Sequence, residues 1–143
     1  MRRLLVLLLF AAPAAWAGEF RSIAENATIM YDAPSVKANK LFVASKLYPV
    51  EIIVQVDNWI KVRDAAGDLA WVEKKFLSDA RTVVVTATFA DVRQKPEDGA
   101  PTVFQARKGV VLDIVELGAG LWAKVRHRDG QTGFVRANQV WGL

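Results

Sequence analysis

Beyond residue 17 the hydrophobic positions recur at strand spacing rather than helix spacing. Val83-Val84-Val85, Ile52-Ile53-Val54 and Val110-Val111-Leu112 are β-branched or apolar runs of strand length, separated by Gly, Pro, Asn and Asp. No window of helical length there carries an i, i+3, i+4, i+7 apolar stripe, so the pattern predicts an all-β fold. In Trp59-Ile60-Lys61-Val62-Arg63 the side chains alternate, Ile60 and Val62 toward the core and Trp59, Lys61 and Arg63 away from it. Ala66-Gly67-Asp68 and Asp129-Gly130 are turn signals between alternating runs, which predicts a hairpin at each place.

The two hairpins belong to an internal repeat. Aligning Trp59 with Trp122 matches WIKVRDAAGDLAWVEKKFL to WAKVRHRDGQTGFVRANQV without a gap, with Trp, Lys, Val, Arg, a later Gly and a later Val identical. Upstream, with a longer loop at Gly118 to Leu121, YPVEIIVQV aligns with GVVLDIVEL, and Pro34 meets Pro96. The unit is about sixty residues, used twice. A β unit of that size has little interior, so closing the sheet into a small barrel is the expected way to protect its edges. Ser78-Asp79-Ala80-Arg81 is the junction, short enough that the two copies should touch and fix their relative orientation by contact. The terminal Val140-Trp141-Gly142-Leu143 offers an aromatic either to its own closing strand or to the seam between copies.

If the first turn is centred on Ala66, Lys61 pairs across the hairpin with Trp71 and Val62 with Ala70. Trp59, Lys61, Arg63 and Trp71 then share the non-core face, as do Trp122, Lys124, Arg126 and Phe134 in the second copy. Aromatics flanking a cation can form a stacking platform for a sugar ring, a peptide or a proline. The alternative is that the rings pack under a loop of their own barrel or against the other copy.

Met1 to Ala17 has a different character. Arg2 and Arg3 precede an apolar stretch from Leu4 to Ala12, and Ala15-Trp16-Ala17 has the small-x-small pattern of a cleavage site, the layout of a secretory signal peptide cut after Ala17. The apolar run falls short of the roughly 20 residues of a bilayer span, so no transmembrane segment is expected in the mature chain. The expected location is periplasmic or secreted. The full chain carries 19 Lys plus Arg against 15 Asp plus Glu, a net charge of +4 that falls to +2 once Arg2 and Arg3 are removed. The charges are spread along both halves, which argues against nucleic acid as a partner. Residues 19 to 80 hold 8 basic and 9 acidic side chains and residues 81 to 143 hold 9 and 6, so an anionic surface should prefer the second half.

Catalytic chemistry has few carriers. There is no Cys and one His in 143 residues, which excludes disulfide frameworks, Cys-ligated zinc, thiol nucleophiles and multi-His metal centres. His127 lies in a turn beside Arg128 and Asp129. Asp64 with Asp68 and Glu97 with Asp98 are carboxylate pairs of the kind turns use for backbone hydrogen bonds. Ser22, Ser35, Ser45 and Ser78 have no suitably framed His. No catalytic residue, metal site or cofactor is expected.

The tandem of sixty-residue β units, each with YPV or GVV, a strand ending before a Trp, W-x-K-V-R, a Gly turn and an aromatic-Val pair, resembles the bacterial SH3-like (SH3b) domain family. The W-x-K-V-R-D…G…A-W-V segment and the closing V-W-G are similar to those of tandem SH3-like proteins of Gram-negative envelopes. The resemblance implies two SH3-like β-barrels, residues 18–81 and 82–143. It implies a non-catalytic binding module for an envelope protein, a peptide or peptidoglycan, with a purely structural or assembly role as the alternative. The family's small residue before the second aromatic is kept as Gly133 but is Ala70 in the first copy. Tyr31-Asp32 is superficially similar to the Tyr-rich loop of eukaryotic SH3 domains, whereas the second copy has Arg93-Gln94 there.

Overall fold

The computed structural model describes residues 18–118 and 120–143; the leader assigned to residues 1–17 lies outside them. The first copy contributes β1 (Glu19–Ile23), β2 (Thr28–Tyr31), β3 (Lys40–Ala44), β4 (Pro49–Val56), β5 (Trp59–Arg63), β6 (Leu69–Glu73) and β7 (Leu77–Ser78). The second contributes β8 (Thr82–Val85), β9 (Phe89–Arg93), β10 (Thr102–Arg107), β11 (Val111–Leu117), β12 (Trp122–Arg126), β13 (Thr132–Arg136) and β14 (Val140–Trp141). Single 3₁₀ turns, Lys74–Phe76 and Ala137–Gln139, precede β7 and β14.

The strand orders are β3-β2-β6-β5-β4-β1-β7 and β10-β9-β13-β12-β11-β8-β14, the same topology twice. The pairings are antiparallel. Closure differs from expectation. The end strands of each order do not pair with one another, so each sheet curls over its core without completing a hydrogen-bonded barrel. β-bulges between Ile52 and Val54 and between Ile114 and Glu116 bend the longest strands, supplying local twist that lets a sheet coil tightly.

Both cores are aliphatic. Ile23, Met30, Val50, Ile60, Val62 and Val72 lead the first, and Val83, Val85, Val92, Leu112, Val125 and Val135 the second. Burying an aliphatic side chain of this size stabilises by roughly 1.5–3 kcal/mol, and β-branched residues fill a pleated interior in few rotamers. Neither core cluster contains a Trp. The four tryptophans of the described residues are therefore left for the outer faces and the seam.

The hairpin turns repeat one device. In the first, Asp64 Oδ1 accepts the backbone N–H groups of Ala66 and Asp68 at 3.0 and 2.9 Å, while Gly67 sits at φ +90°. Only glycine adopts that backbone without steric cost. In the second, Asp129 Oδ1 accepts the Gln131 N–H at 3.0 Å and Gly130 takes φ +92°. That backbone hydrogen bond and His127 hold the Asp129 carboxyl below its usual range. With Asp64 and Asp129 spent on turns, both carboxylates serve the backbone.

The copies meet directly. Thr82 Oγ1 donates to the Leu47 carbonyl at 2.6 Å, and Leu47 holds φ +72°, an uncommon conformation for a γ-branched residue. Arg81 donates to the Gly142 carbonyl at 3.0 Å and stacks over the Phe20 ring. Phe20 in turn meets Trp141 edge to face. Of the two places open to Trp141, it occupies both, in β14 and against the first copy.

Candidate functional site

Hairpin register positions the outer faces. Lys61 pairs with Trp71 and Val62 with Ala70, as the turn geometry predicts; Lys124 pairs with Phe134 and Val125 with Gly133. Ile60, Val62, Ala123 and Val125 are buried, while Trp59, Lys61, Arg63 and Trp71, and Trp122, Lys124 and Phe134, are half-buried; Arg126 is exposed. The rings are thus neither core residues nor freely projecting.

In the first copy Tyr31 is drawn beside this face because β2 pairs with β6 through Tyr31 and Trp71. Tyr31, 8% exposed, meets Trp59 edge to face, with centroids 5.6 Å apart and planes at 82°. Beside Trp59 a cleft of about 660 Å³ is lined also by Asn58, Glu73, Lys74 and Lys75. A second hollow of about 320 Å³ shares Glu73 and is lined by Tyr31, Val36 and Phe76 among others. Glu73 lies opposite Trp59 in the register and pairs with Lys75 Nζ at 3.5 Å. The result is a groove with aromatic walls and charges of both signs at its rim. Volumes of this order suit a ligand the size of a few residues.

Arg63 does not join the groove's free charges, since its guanidinium is 3.0 Å from the Glu51 carboxylate across the β4–β5 pair. The second copy differs further. Arg136 replaces Glu73 opposite Trp122 and lies over the Trp122 ring at 5.1 Å, held there by Asp98. Asp98 was expected to serve its local turn; its carboxylate instead reaches a side chain 38 residues away. Lys124 covers Phe134 at 5.8 Å. Arg93, where the first copy has Tyr31, donates to the Ala100 carbonyl at 2.8 Å. The same outer face is therefore open and aromatic in one copy and capped by cations in the other.

Sequence reasoning found the face and noted Tyr31 only as a superficial likeness to another family's loop; it missed Glu73, Lys74 and Lys75 in the first copy and the Arg136–Asp98 clasp in the second. The pattern held one signal for this: Glu73 and Arg136 occupy equivalent repeat positions with opposite charge. His127, the single histidine, accepts the Asp129 N–H at Nδ1 (3.4 Å), lies 3.2 Å from that carboxylate and leans on Phe104. Among the described residues no group of three or more His, Asp or Glu side chains is placed to hold a metal ion. No helix among them is long and apolar enough to cross a membrane.

No curated protein matches the chain. Solved structures with a similar arrangement include NlpC2 from Trichomonas vaginalis (12% identity, TM-score 0.39, covering 87% of this chain and 47% of that one). NlpC1 from the same organism gives 14% identity and a TM-score of 0.39 over 98% of this chain and 51% of its own. An NlpC/P60 family protein from Bacillus cereus gives 16% and 0.40 over 86% and 56%. The chain spans about half the length of each. The family model described as bacterial SH3 domain matches twice, at residues 24–79 and 86–142, one match on each seven-stranded sheet. With the repeat, the shared topology and both matches in agreement, the chain belongs to the bacterial SH3 domain family and carries the domain in tandem.

Proposed function

We propose that this protein is an exported, non-catalytic binding module of the cell envelope. Its first copy takes an extended peptide, from a periplasmic protein or from the peptide portion of peptidoglycan, into the groove beside Trp59. The observation that carries this reading is the open groove formed by Tyr31, Trp59 and Glu73, set against the capped Trp122. A half-buried indole lining an open groove supplies contact area at little entropic cost. Glu73 and Lys74 supply polar anchors that fix a peptide's direction. Lys61 and Trp71 extend the same face, whereas Trp122, Lys124, Arg126 and Phe134 serve the second copy's own surface.

Two assays test binding. Chain 18–143 is immobilised for pull-down from envelope extract and, separately, co-sedimented with purified peptidoglycan. Retention in either that falls with Trp59→Ala supports the groove; no specific retention in both removes it. Export is tested by mass spectrometry of periplasmic extract, where the protein is expected to begin at Gly18. Finding Met1 to Ala17 still attached would overturn the export reading.

A structural or assembly role is the second reading, favoured by edge strand β3, on which Leu41, Phe42 and Val43 are consecutively exposed. Unpaired apolar edges invite strand addition. Concentration-dependent self-association, abolished by Val43→Lys, would favour this reading over the groove.

A further inference from the structure

Apart from the aromatic groove, the seam between the copies forms a cleft of distinct chemistry. Two hollows of about 370 and 320 Å³ adjoin there, sharing Tyr48 from the first copy and Gly109 from the second. Lys46 lines it from the first copy, and Lys108, His127 and Arg128 from the second; no Asp or Glu is among the lining residues. Lys46, Lys108 and Arg128 make no ion pair among the described residues. The nearest carboxylates are Asp129, beside Arg128, and Asp64, whose charge reaches Tyr48. Both accept backbone N–H groups of their own turns and keep their charge, so three cations stand against two carboxylates that face away into turns of their own hairpins.

Tyr48 adds a neutral donor. Its Oη accepts the Ala65 N–H at 3.3 Å, which leaves the phenol proton to donate elsewhere. Burial keeps that phenol protonated to higher pH than usual. The Thr82 to Leu47 hydrogen bond ties the copies together at the residue between Lys46 and Tyr48. The Lys46 backbone is itself held by Asn26, whose side-chain carbonyl accepts its N–H at 3.0 Å. Between the cations the walls are mostly valine, alanine and glycine, with Ser45 and Thr86. A bare inorganic anion would leave those walls unused. A chain bearing carboxylates on either side of an apolar side chain would use both cations and walls.

We propose that the cleft between the two copies is a second binding site, for an acidic peptide segment in which glutamate or aspartate alternates with an apolar residue. Neither copy holds the site alone, which gives the tandem arrangement a role beyond duplication. The excess of basic residues in the second half, unexplained by the aromatic groove, falls partly here. Field focusing between low-dielectric walls raises the effect of such an excess of cations on a passing anion.

The test uses ¹⁵N-labelled chain 18–143 and an end-blocked peptide of about six residues alternating glutamate with leucine. Saturable amide shifts are expected at Lys46, Tyr48, Gly109 and Arg128, with the Trp59 indole signal unmoved, so that this site and the aromatic groove are judged separately. Binding should weaken about tenfold on raising salt to about 0.5 M, and about fivefold in each of Lys46→Gln and Arg128→Gln, both exposed positions whose change leaves the cores intact. Equal binding of the glutamine-for-glutamate peptide, shifts confined to the Trp59 groove, or phosphate alone binding as tightly as the peptide would each overturn the proposal.

Discussion

Phe20, in the first strand of the first copy, meets Trp141, in the last strand of the second, edge to face with ring centroids 5.1 Å apart and planes at 86°. Arg81 lies over the same Phe20 ring at 5.6 Å. Two domains joined by the three residues between β7 and β8 are thus stapled by the ends of the described chain rather than by the linker alone. An edge-to-face aromatic pair contributes about 0.5–1.5 kcal/mol beyond its buried area. A double-mutant cycle with Phe20→Leu and Trp141→Leu should return a coupling energy in that range. Truncation after Gln139 should lower the melting temperature of both copies. Two isolated copies melting where the intact protein melts would show that the seam contributes nothing.

Gly142 gives a sharper probe of the seam. It holds φ +124°, and a Cβ there would lie 2.6 Å from the Thr82 carbonyl oxygen and 3.2 Å from Pro49 Cβ of the other copy. Gly142→Ala should therefore destabilise by about 1–3 kcal/mol, read as a shift of the denaturant midpoint. An unchanged midpoint would mean that the terminus does not dock as described.

Val62 and Val125 are wholly buried at matching places in the two cores. Replacing either with Asp buries an unpaired charge at a cost of several kcal/mol, comparable to the whole stability of a small domain. Each variant should lose the cooperative melt of its own copy. Melts unchanged by both would mean that the hairpin faces are reversed.

Tyr48 gives the stability a signature at alkaline pH. Burial is the main cause raising its ionisation above the ordinary value of 10.0, with the Asp64 charge adding and the Ala65 N–H opposing. In the unfolded chain the phenol ionises first. Its contribution is therefore complete below pH 10 and is lost as pH rises through the folded value. Tyr48→Phe should flatten the fall in stability above about pH 10 relative to wild type. Parallel curves for the two proteins would contradict this.

The hairpins were legible because they are local: a turn anchored on Asp64 and Gly67 fixes which residue faces which, and alternation does the rest. The family was legible for a related reason, since a motif repeated in one chain serves as its own alignment. What the pattern could not carry was non-local. Tyr31 reaches Trp59 only because β2 pairs with β6, across a separation of about forty residues in sequence. The Arg136–Asp98 contact, which covers Trp122, likewise joins two separate hairpins. Closure was misjudged because edge protection does not require a complete ladder; bulged, coiled strands already enclose cores of valine and isoleucine.

The asymmetry between copies makes its own prediction. Arg136→Ala should uncover Trp122, raising quenching of its fluorescence by a neutral quencher such as acrylamide, and should lower stability by about 0.5–2 kcal/mol through loss of the contact with the ring and the pair with Asp98. No change in quenching would mean that Arg136 does not shield the ring.

The most direct test of the account follows the four Trp indole signals of labelled chain 18–143 during titration with soluble peptidoglycan fragments and with the peptide recovered from envelope pull-down. The groove reading predicts saturable movement of the Trp59 and Trp71 signals together with the Tyr31 ring, abolished by Trp59→Ala, while Trp122 stays fixed beneath Arg136. Movement of Trp122 alone, or none of the indoles responding to either probe at saturating concentration, would contradict it.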